Sequence, residues 1–320
     1  MMRHLNKKNL LILSILLNIA LIIGIYHIEK FGFCDVTNNP NIDKFDLLSE
    51  KIAWMDLDDF LEKQKTMTIS YQPLKEQLIQ EFDSGNLNDR YSLYFEDLNT
   101  DAWIGINEKE KFLPASLLKL PTVIAILKKV QIEELSLDQK IILSKDGLNQ
   151  RSGKLYEKGA GYELTLKQLM QETLKSSDNT AFRSLNNLLT VDEYTNARLA
   201  MGLPKPDMEK ATYLSPKEYS NIFRSLYLST YLKRQYSQAI LSMLAETEYE
   251  TQIPEELPEE VKVAHKVGFY GEGGYVHDCG IIYAENHPYI LCVMSKDSTM
   301  EEANAVISKL SHIVYDYTTN

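Results

Sequence analysis

Phe112-Leu113-Pro114-Ala115-Ser116-Leu117-Leu118-Lys119-Leu120-Pro121 opens a predicted helix with a hydroxyl and an amine on one side. Ser116 and Lys119 are three positions apart, the spacing that puts two side chains on one helical face. A serine hydroxyl is a weak nucleophile and needs an adjacent base. A lysine can be that base only when burial or a nearby cation leaves its amine partly deprotonated. Close to a helix N-terminus, the serine also meets backbone N–H groups and the positive end of the helix dipole. Composition alone supplies about one Ser-x-x-Lys match in a chain of this length. Taken by itself, the pair is better described as a surface helix with a capping serine.

Two further motifs change the weighting. Ser177-Asp178-Asn179 follows at a spacing of 61 residues from Ser116 (177 − 116), between helix-like segments. Lys266-Val267-Gly268 lies in a predicted strand near the C-terminus, directly after His265. The three motifs in this order resemble the class A β-lactamase and penicillin-binding serine hydrolase family. Tyr91 to Asn107 also looks like that family's first hairpin, leading to the nucleophile, and the final strands and helix follow in the expected order. The resemblance runs from about Tyr71 to the C-terminus.

By resemblance, Ser116 attacks a carbonyl and becomes acylated, and Lys119 is the candidate base. Ser177 relays a proton to the departing nitrogen. Asn179 positions Lys119 and binds the substrate amide. Lys266 attracts the substrate carboxylate and polarises Ser177. The backbone N–H groups of Ser116 and Phe269 form the oxyanion hole, and Gly268 and Val267 line the substrate strand. Two departures stand out. Val267 replaces the usual Thr or Ser, removing a hydroxyl worth about 1.5–3 kcal/mol against a charged partner. Class A enzymes also carry a long loop whose glutamate activates the deacylating water. Here the loop is short, Leu203 to Thr212, with Asp207 and Glu209 as its only acids. Glu209 is the one possible deacylation base, although an exposed loop glutamate describes it better. Without that base the acyl-enzyme persists.

The surrounding pattern points to an α+β domain with a mostly antiparallel five-stranded sheet, flanking helices and an all-helical subdomain. A short helix is predicted over 72–82, and a hairpin over 91–98 and 102–106. A helical block spans about 114–207, broken near 147–153 and 158–161. One helix, capped by Ser215, runs over 216–249. Strands are predicted over 262–269, 275–283 and 289–295, and a final helix over 301–317.

Upstream, Arg3, Lys7 and Lys8 precede an apolar run from Leu10 to Ile28. Roughly 18–20 such residues span the hydrocarbon core as a helix. Cations on the N-terminal side keep that end in the cytoplasm. With no small-x-small cleavage site after the run, an uncleaved signal anchor is the better reading than a removed signal peptide. The organisation expected is residues 1–30 as cytoplasmic tip and transmembrane anchor and 31–70 as linker and helical stalk (the charged stretch Asp43–Lys65). Residues 71–320 form the hydrolase domain, held at the cell membrane on its outer side.

Composition sets the outer limits. The 320 residues are 44% hydrophobic and 25% charged, ordinary globular values. A net charge of −11 and a sequence pI near 5.2 lack the basic footprint that nucleic acid requires. That acidity makes Lys119 and Lys266 the local attractors for an anionic substrate. His265, His277 and His287 lack metal-ligand spacing, so no metal is expected, and acyl transfer of this kind needs no cofactor. Gly271 to Gly274 is expected to be a hairpin connection. A turn near Asn286 would set Cys279 opposite Met294, leaving Cys279 and Cys292 diagonal and unbridged. Three functions stay open. They are acylation by β-lactams or related peptidoglycan stem peptides, a D-Ala-D-Ala peptidase activity, and a non-catalytic wall-binding sensor.

Overall fold

The protein is described by a computed structural model, in which residue 47, residues 70–207 and residues 209–319 are placed. The expected membrane helix at residues 10–28, and all of the expected stalk apart from Leu47 and Ser70, lie outside the described residues. Among the described residues no helix is long and apolar enough to cross a membrane. Leu47 is buried on the domain, donating its N–H to Gln238 Oε1 (3.1 Å) and accepting from the Tyr283 hydroxyl (2.8 Å).

Helix α1 (Gln72–Ser84) opens with proline in its first turn and buries Leu74, Leu78 and Phe82, a stripe at the helical repeat. The hairpin of β1 (Tyr91–Asp97) and β2 (Trp103–Ile106) follows as predicted. A 3-10 turn (Ala115–Leu118) then leads into α2 (Lys119–Gln131). The small hairpin of β3 (Lys140–Ile142) and β4 (Glu163–Thr165) precedes α3 (Leu166–Lys175), α4 (Asn179–Asn186) and α5 (Val191–Ala200). After the short loop come α6 (Pro216–Tyr227) and α7 (Arg234–Ala245). The chain ends with β5 (Val263–Tyr270), β6 (Tyr275–Ile282), β7 (Tyr289–Ser295) and α8 (Met300–Thr319).

The five-stranded sheet has the order β2-β1-β7-β6-β5 and every pairing is antiparallel. Strand alternation gives each face its own cover. Tyr91, Leu93, Phe95, Leu291 and Val293 form one core with Leu78 and Phe82 of α1 and Ile307 and Leu310 of α8. The opposite face carries Glu96, whose carboxylate grips Arg224 of α6 bidentately, with Nε–Oε1 at 2.6 Å. Tyr94 Oη donates to the same carboxylate (3.0 Å), so the charge that α6 brings to the sheet is fully matched.

Three expectations are corrected. The single helix over 216–249 is two, because Ser229 takes the left-handed conformation (φ 52°) and breaks the hydrogen-bond ladder between them. The β3–β4 hairpin inside the helical block was not predicted, since three-residue strands are too short to display an alternation. Finally, Ile282 pairs with Tyr289, which centres the connection between Glu285 and Asn286 rather than one residue later. Cys279 therefore faces Cys292 directly, and the two are joined as a disulfide. For protein folded under oxidising conditions and then denatured, a thiol reagent should titrate one of the three cysteines, Cys34, and all three after reduction. Three reactive thiols before reduction would contradict the bridge.

Candidate active site

The residues that surround Ser116 come from four segments. The first is the turn itself, where Ala115 holds φ at 50°, a left-handed conformation costly for a residue with a Cβ. Several contacts hold it there. His277 of β6 hydrogen-bonds Leu113 O through Nε2 (2.9 Å), the Tyr219 hydroxyl of α6 donates to Leu117 O (2.9 Å), and Phe112 exchanges backbone bonds with Leu214. Gly268 lets β5 close against the turn. A Cβ there would lie 2.9 Å from Pro114 O and from Leu117 Cγ.

The second segment is α2, whose first residue is Lys119. Its Nζ lies 3.1 Å from Ser116 Oγ, 3.0 Å from Ser177 Oγ and 2.5 Å from Ser177 O. The amine is almost wholly enclosed. Burial lowers its pKa to about 8, with the Asp178 carboxylate pulling the other way. The third segment carries Ser177, also left-handed (φ 53°). Ser152 Oγ donates to Ser177 O (2.9 Å). Asp178 caps α4 through Ala181 N and accepts from Leu155 N, both at 2.8 Å. Gly153 is obligatory beside it, since a Cβ would fall 2.0 Å from Asp178 Oδ2.

The fourth segment is β5. Lys266 Nζ donates to Ser177 Oγ (3.1 Å) and to Val267 O (3.2 Å). Burial, then the neighbouring Lys119 charge, lowers its pKa to about 7, against the pull of Asp278. One hydroxyl thus receives two buried amines. Near neutrality such a pair cannot keep both protons cheaply, which leaves one amine able to act as a base.

Ser116, Lys119, Ser177 and Lys266 are brought together as the sequence implied. Gly268 sits against the turn that carries Ser116, and Phe269 follows it, half exposed on the edge strand. Other residues differ. The Asn179 amide donates to Asn149 Oδ1 (3.3 Å), while Lys119 is oriented by Ser177 instead. Val267 pairs with Asp278 on the pleat face opposite Lys266 and is buried there. Glu209 is exposed, and Asp207 Oδ1 closes the loop's own turn by accepting from the N–H groups of Glu209 (2.9 Å) and Lys210 (3.2 Å). The base of this loop is pinned by buried Arg198, whose Nε and Nη2 donate to Pro204 O (3.2 and 3.1 Å). Sequence reasoning missed Ser152, Tyr219 and the part played by His277. Ser152 and Tyr219 lie far from the motifs in the chain, and His277 is tied to them only by its cross-strand pairing with Gly268.

A family model described as the beta-lactamase enzyme family matches residues 73–318. Among solved structures, a β-lactamase from Sphaerobacter thermophilus superposes with a TM-score of 0.70 at 21% identity, over 78% of this chain and 98% of that one. A β-lactamase from Chitinophaga pinensis gives 0.68 at 22% identity, over 76% and 98%. PBP-A gives 0.65 at 22% identity, over 71% and 88%, and a variant of it has been solved as an acyl-enzyme with penicillin G. No curated protein sequence matches the chain.

His277 provides a test of the turn's support. Burial lowers its pKa to about 4, and the neutral ring both accepts from Ser295 N (3.2 Å) and hydrogen-bonds Leu113 O. A folded pKa below the unfolded value of about 6.5 means that stability is complete above 6.5 and is lost as pH falls through 4. The loss amounts to about 3 kcal/mol. Urea unfolding at pH 7 and at pH 4 should show this slope in the wild type and less of it in His277→Gln. Equal slopes would rule the residue out.

Proposed function

Because the chain belongs to the beta-lactamase enzyme family, we propose that it is a serine hydrolase acylated on Ser116 by β-lactams or related peptidoglycan stem peptides. The observation that carries this reading is the Ser177 hydroxyl between two buried amines, with Ser116 Oγ in reach of one of them. A substrate carboxylate approaching Lys266 holds the positive charge on that amine and leaves Lys119 neutral. Lys119 then takes the Ser116 proton as Oγ forms a bond to the carbonyl carbon. The carbonyl electrons move onto oxygen, where the N–H groups of Ser116 and Phe269 meet them. Such donors are typically worth about 3 kcal/mol each. As the tetrahedral centre collapses, the C–N bond breaks and the nitrogen takes a proton from Ser177. Lys119 or Lys266 restores that proton.

Hydrolysis of the ester needs a water and a base. Glu209 is exposed on a short loop, so the acyl-enzyme is expected to be long-lived. That observation also supports a second reading, a D-Ala-D-Ala peptidase that β-lactams trap rather than feed. The apolar run from Leu10 to Ile28 with its preceding cations supports an anchor that places the domain outside the cytoplasm, where a disulfide persists.

Incubating the full chain in detergent with a labelled penicillin should give one adduct by intact mass, absent in Ser116→Ala. No adduct, or equal labelling of the variant, would remove the nucleophile. The adduct should outlast the assay with negligible nitrocefin turnover, whereas brisk turnover would restore an efficient deacylation base. D-alanine release from a pentapeptide would separate the peptidase from a sensor.

Acylation should rise with pH as the first of the two amines loses its proton, around 7–8, and fall when both are neutral. A rate flat from pH 5 to 10 would contradict the shared-proton site. Gly268→Ala should lower the acylation rate by about tenfold to a hundredfold, because its Cβ displaces the nucleophile turn. A wild-type rate would show that the approach of β5 is not needed.

A further inference from the structure

The segment after α7 crosses the free edge of the sheet, where β5 is the last strand. Its start is fastened to the end of α3. Glu246 pairs with Lys175, while Thr247 Oγ1 (3.0 Å) and Glu248 N (3.2 Å) both donate to Lys175 O. Its end is fastened on the other face of the sheet. Ile253 N donates to Asp278 Oδ2 (3.1 Å), and Ser311 Oγ of α8 donates to Ile253 O (2.8 Å).

Tyr249 sits between these anchors and touches three parts of the site. Its hydroxyl donates to Ser176 O (3.3 Å), the carbonyl directly before Ser177. Its ring faces Lys266 Nζ at 5.5 Å from the centroid. Its own carbonyl lies 3.1 Å from His265 Nε2. His265 Nδ1 in turn meets both Asp278 carboxylate oxygens at 2.8 Å, and both residues are fully buried. His265 and Lys266 are consecutive in β5, so their side chains leave opposite faces of the strand. The strap therefore grips β5 on both sides at the residue that delivers the cation.

We propose that Tyr249, backed by the His265–Asp278 pair, is a positioning residue that sets the distance and charge between Lys266 and the Ser177 turn. This rests on the acylation chemistry proposed above. The ring is the one aromatic face turned to Lys266 among the described residues. An aromatic face favours the ammonium over the neutral amine. The charged groups acting on Lys266 are Lys119 of α2, which opposes its proton, and Asp278 of β6, which favours it. The bond from the hydroxyl to Ser176 O fixes the peptide that carries Ser177 in its left-handed turn. Tyr249 is only partly buried, so substitutions there leave the core intact.

Two variants separate the functions of the side chain. Tyr249→Phe keeps the ring and loses the hydroxyl's bonds to Ser176 O and to the Ser152 side chain. Tyr249→Leu loses the ring as well. Acylation by a fluorescent penicillin, followed from pH 5 to 10, should slow by about threefold in the first and about tenfold in the second. Only Tyr249→Leu should move the pH profile, by about half a unit to lower pH. Carbon-13 NMR of ε-labelled lysines reads the same group without substrate, with Lys266→Met identifying its resonance. Lys266 should lose its proton about half a unit earlier in Tyr249→Leu and as in the wild type in Tyr249→Phe. Unchanged rates and an unchanged lysine titration would overturn the proposal, as would slower acylation with no movement of either titration. If the wild type takes no penicillin, the proposed function fails, while the NMR titration still decides the role of Tyr249.

Discussion

Burying two lysines around one serine hydroxyl is the constraint on which this domain is built. Each amine has exchanged water for a few protein oxygens, and each lies close to the other's charge. Lowering a lysine from its ordinary value to about 7 or 8 means that folding gives up a few kcal/mol at neutral pH. The surroundings offset this with groups placed to favour a single positive charge. Asp178 caps α4 beside Lys119, Asp278 lies behind Lys266, and Ser177 O accepts from both Lys119 and Ser152. The rest of the fold supplies the rigidity that keeps this unfavourable arrangement from relaxing. Examples are the Glu96–Arg224 clamp, the core between the sheet and α8, and the Phe112–Leu214 bridge.

Both serines are held in left-handed surroundings, Ser177 by its own backbone and Ser116 by the residue before it. Strain of this kind survives only where neighbours over-determine the geometry. At Ser116 the neighbours are His277, Tyr219 and the close approach of Gly268. At Ser177 they are Lys119, Ser152 and the peptide held by Tyr249. Both hydroxyls are therefore held in place by the protein itself, which is the preorganisation that the proposed acylation requires.

The sequence announced the candidate site groups better than their supports. Ser-x-x-Lys, Ser-Asp-Asn and Lys-x-Gly are local words, each weak by itself and telling only when the three follow in this order. Tyr249, His265 and Asp278 have no such pattern, because their meaning comes from how a strap crosses a strand edge. The cysteine bridge was missed for a different reason. A one-residue error in the centre of the β6–β7 connection moves the pairing by two, enough to put Met294 where Cys292 belongs. The split between α6 and α7 hangs on one left-handed serine, which composition does not announce. Val267 was weighed for a lost hydroxyl, whereas its pleat face turns the side chain toward Asp278.

The order of the strands has a temporal consequence. β1, made early, finds its inner neighbour only in β7, the last strand of the chain, and Tyr91 must await Ser295. Ser116 and Ser177 are likewise synthesised well before Lys266 exists to join them. A nascent chain therefore holds its apolar N-terminal hairpin without a sheet until nearly all of it has been translated. Such long-range pairing folds slowly and leaves edges open to wrong partners. Truncation near the C-terminus would do more than trim a helix, because it would strand the first hairpin and every residue that depends on it.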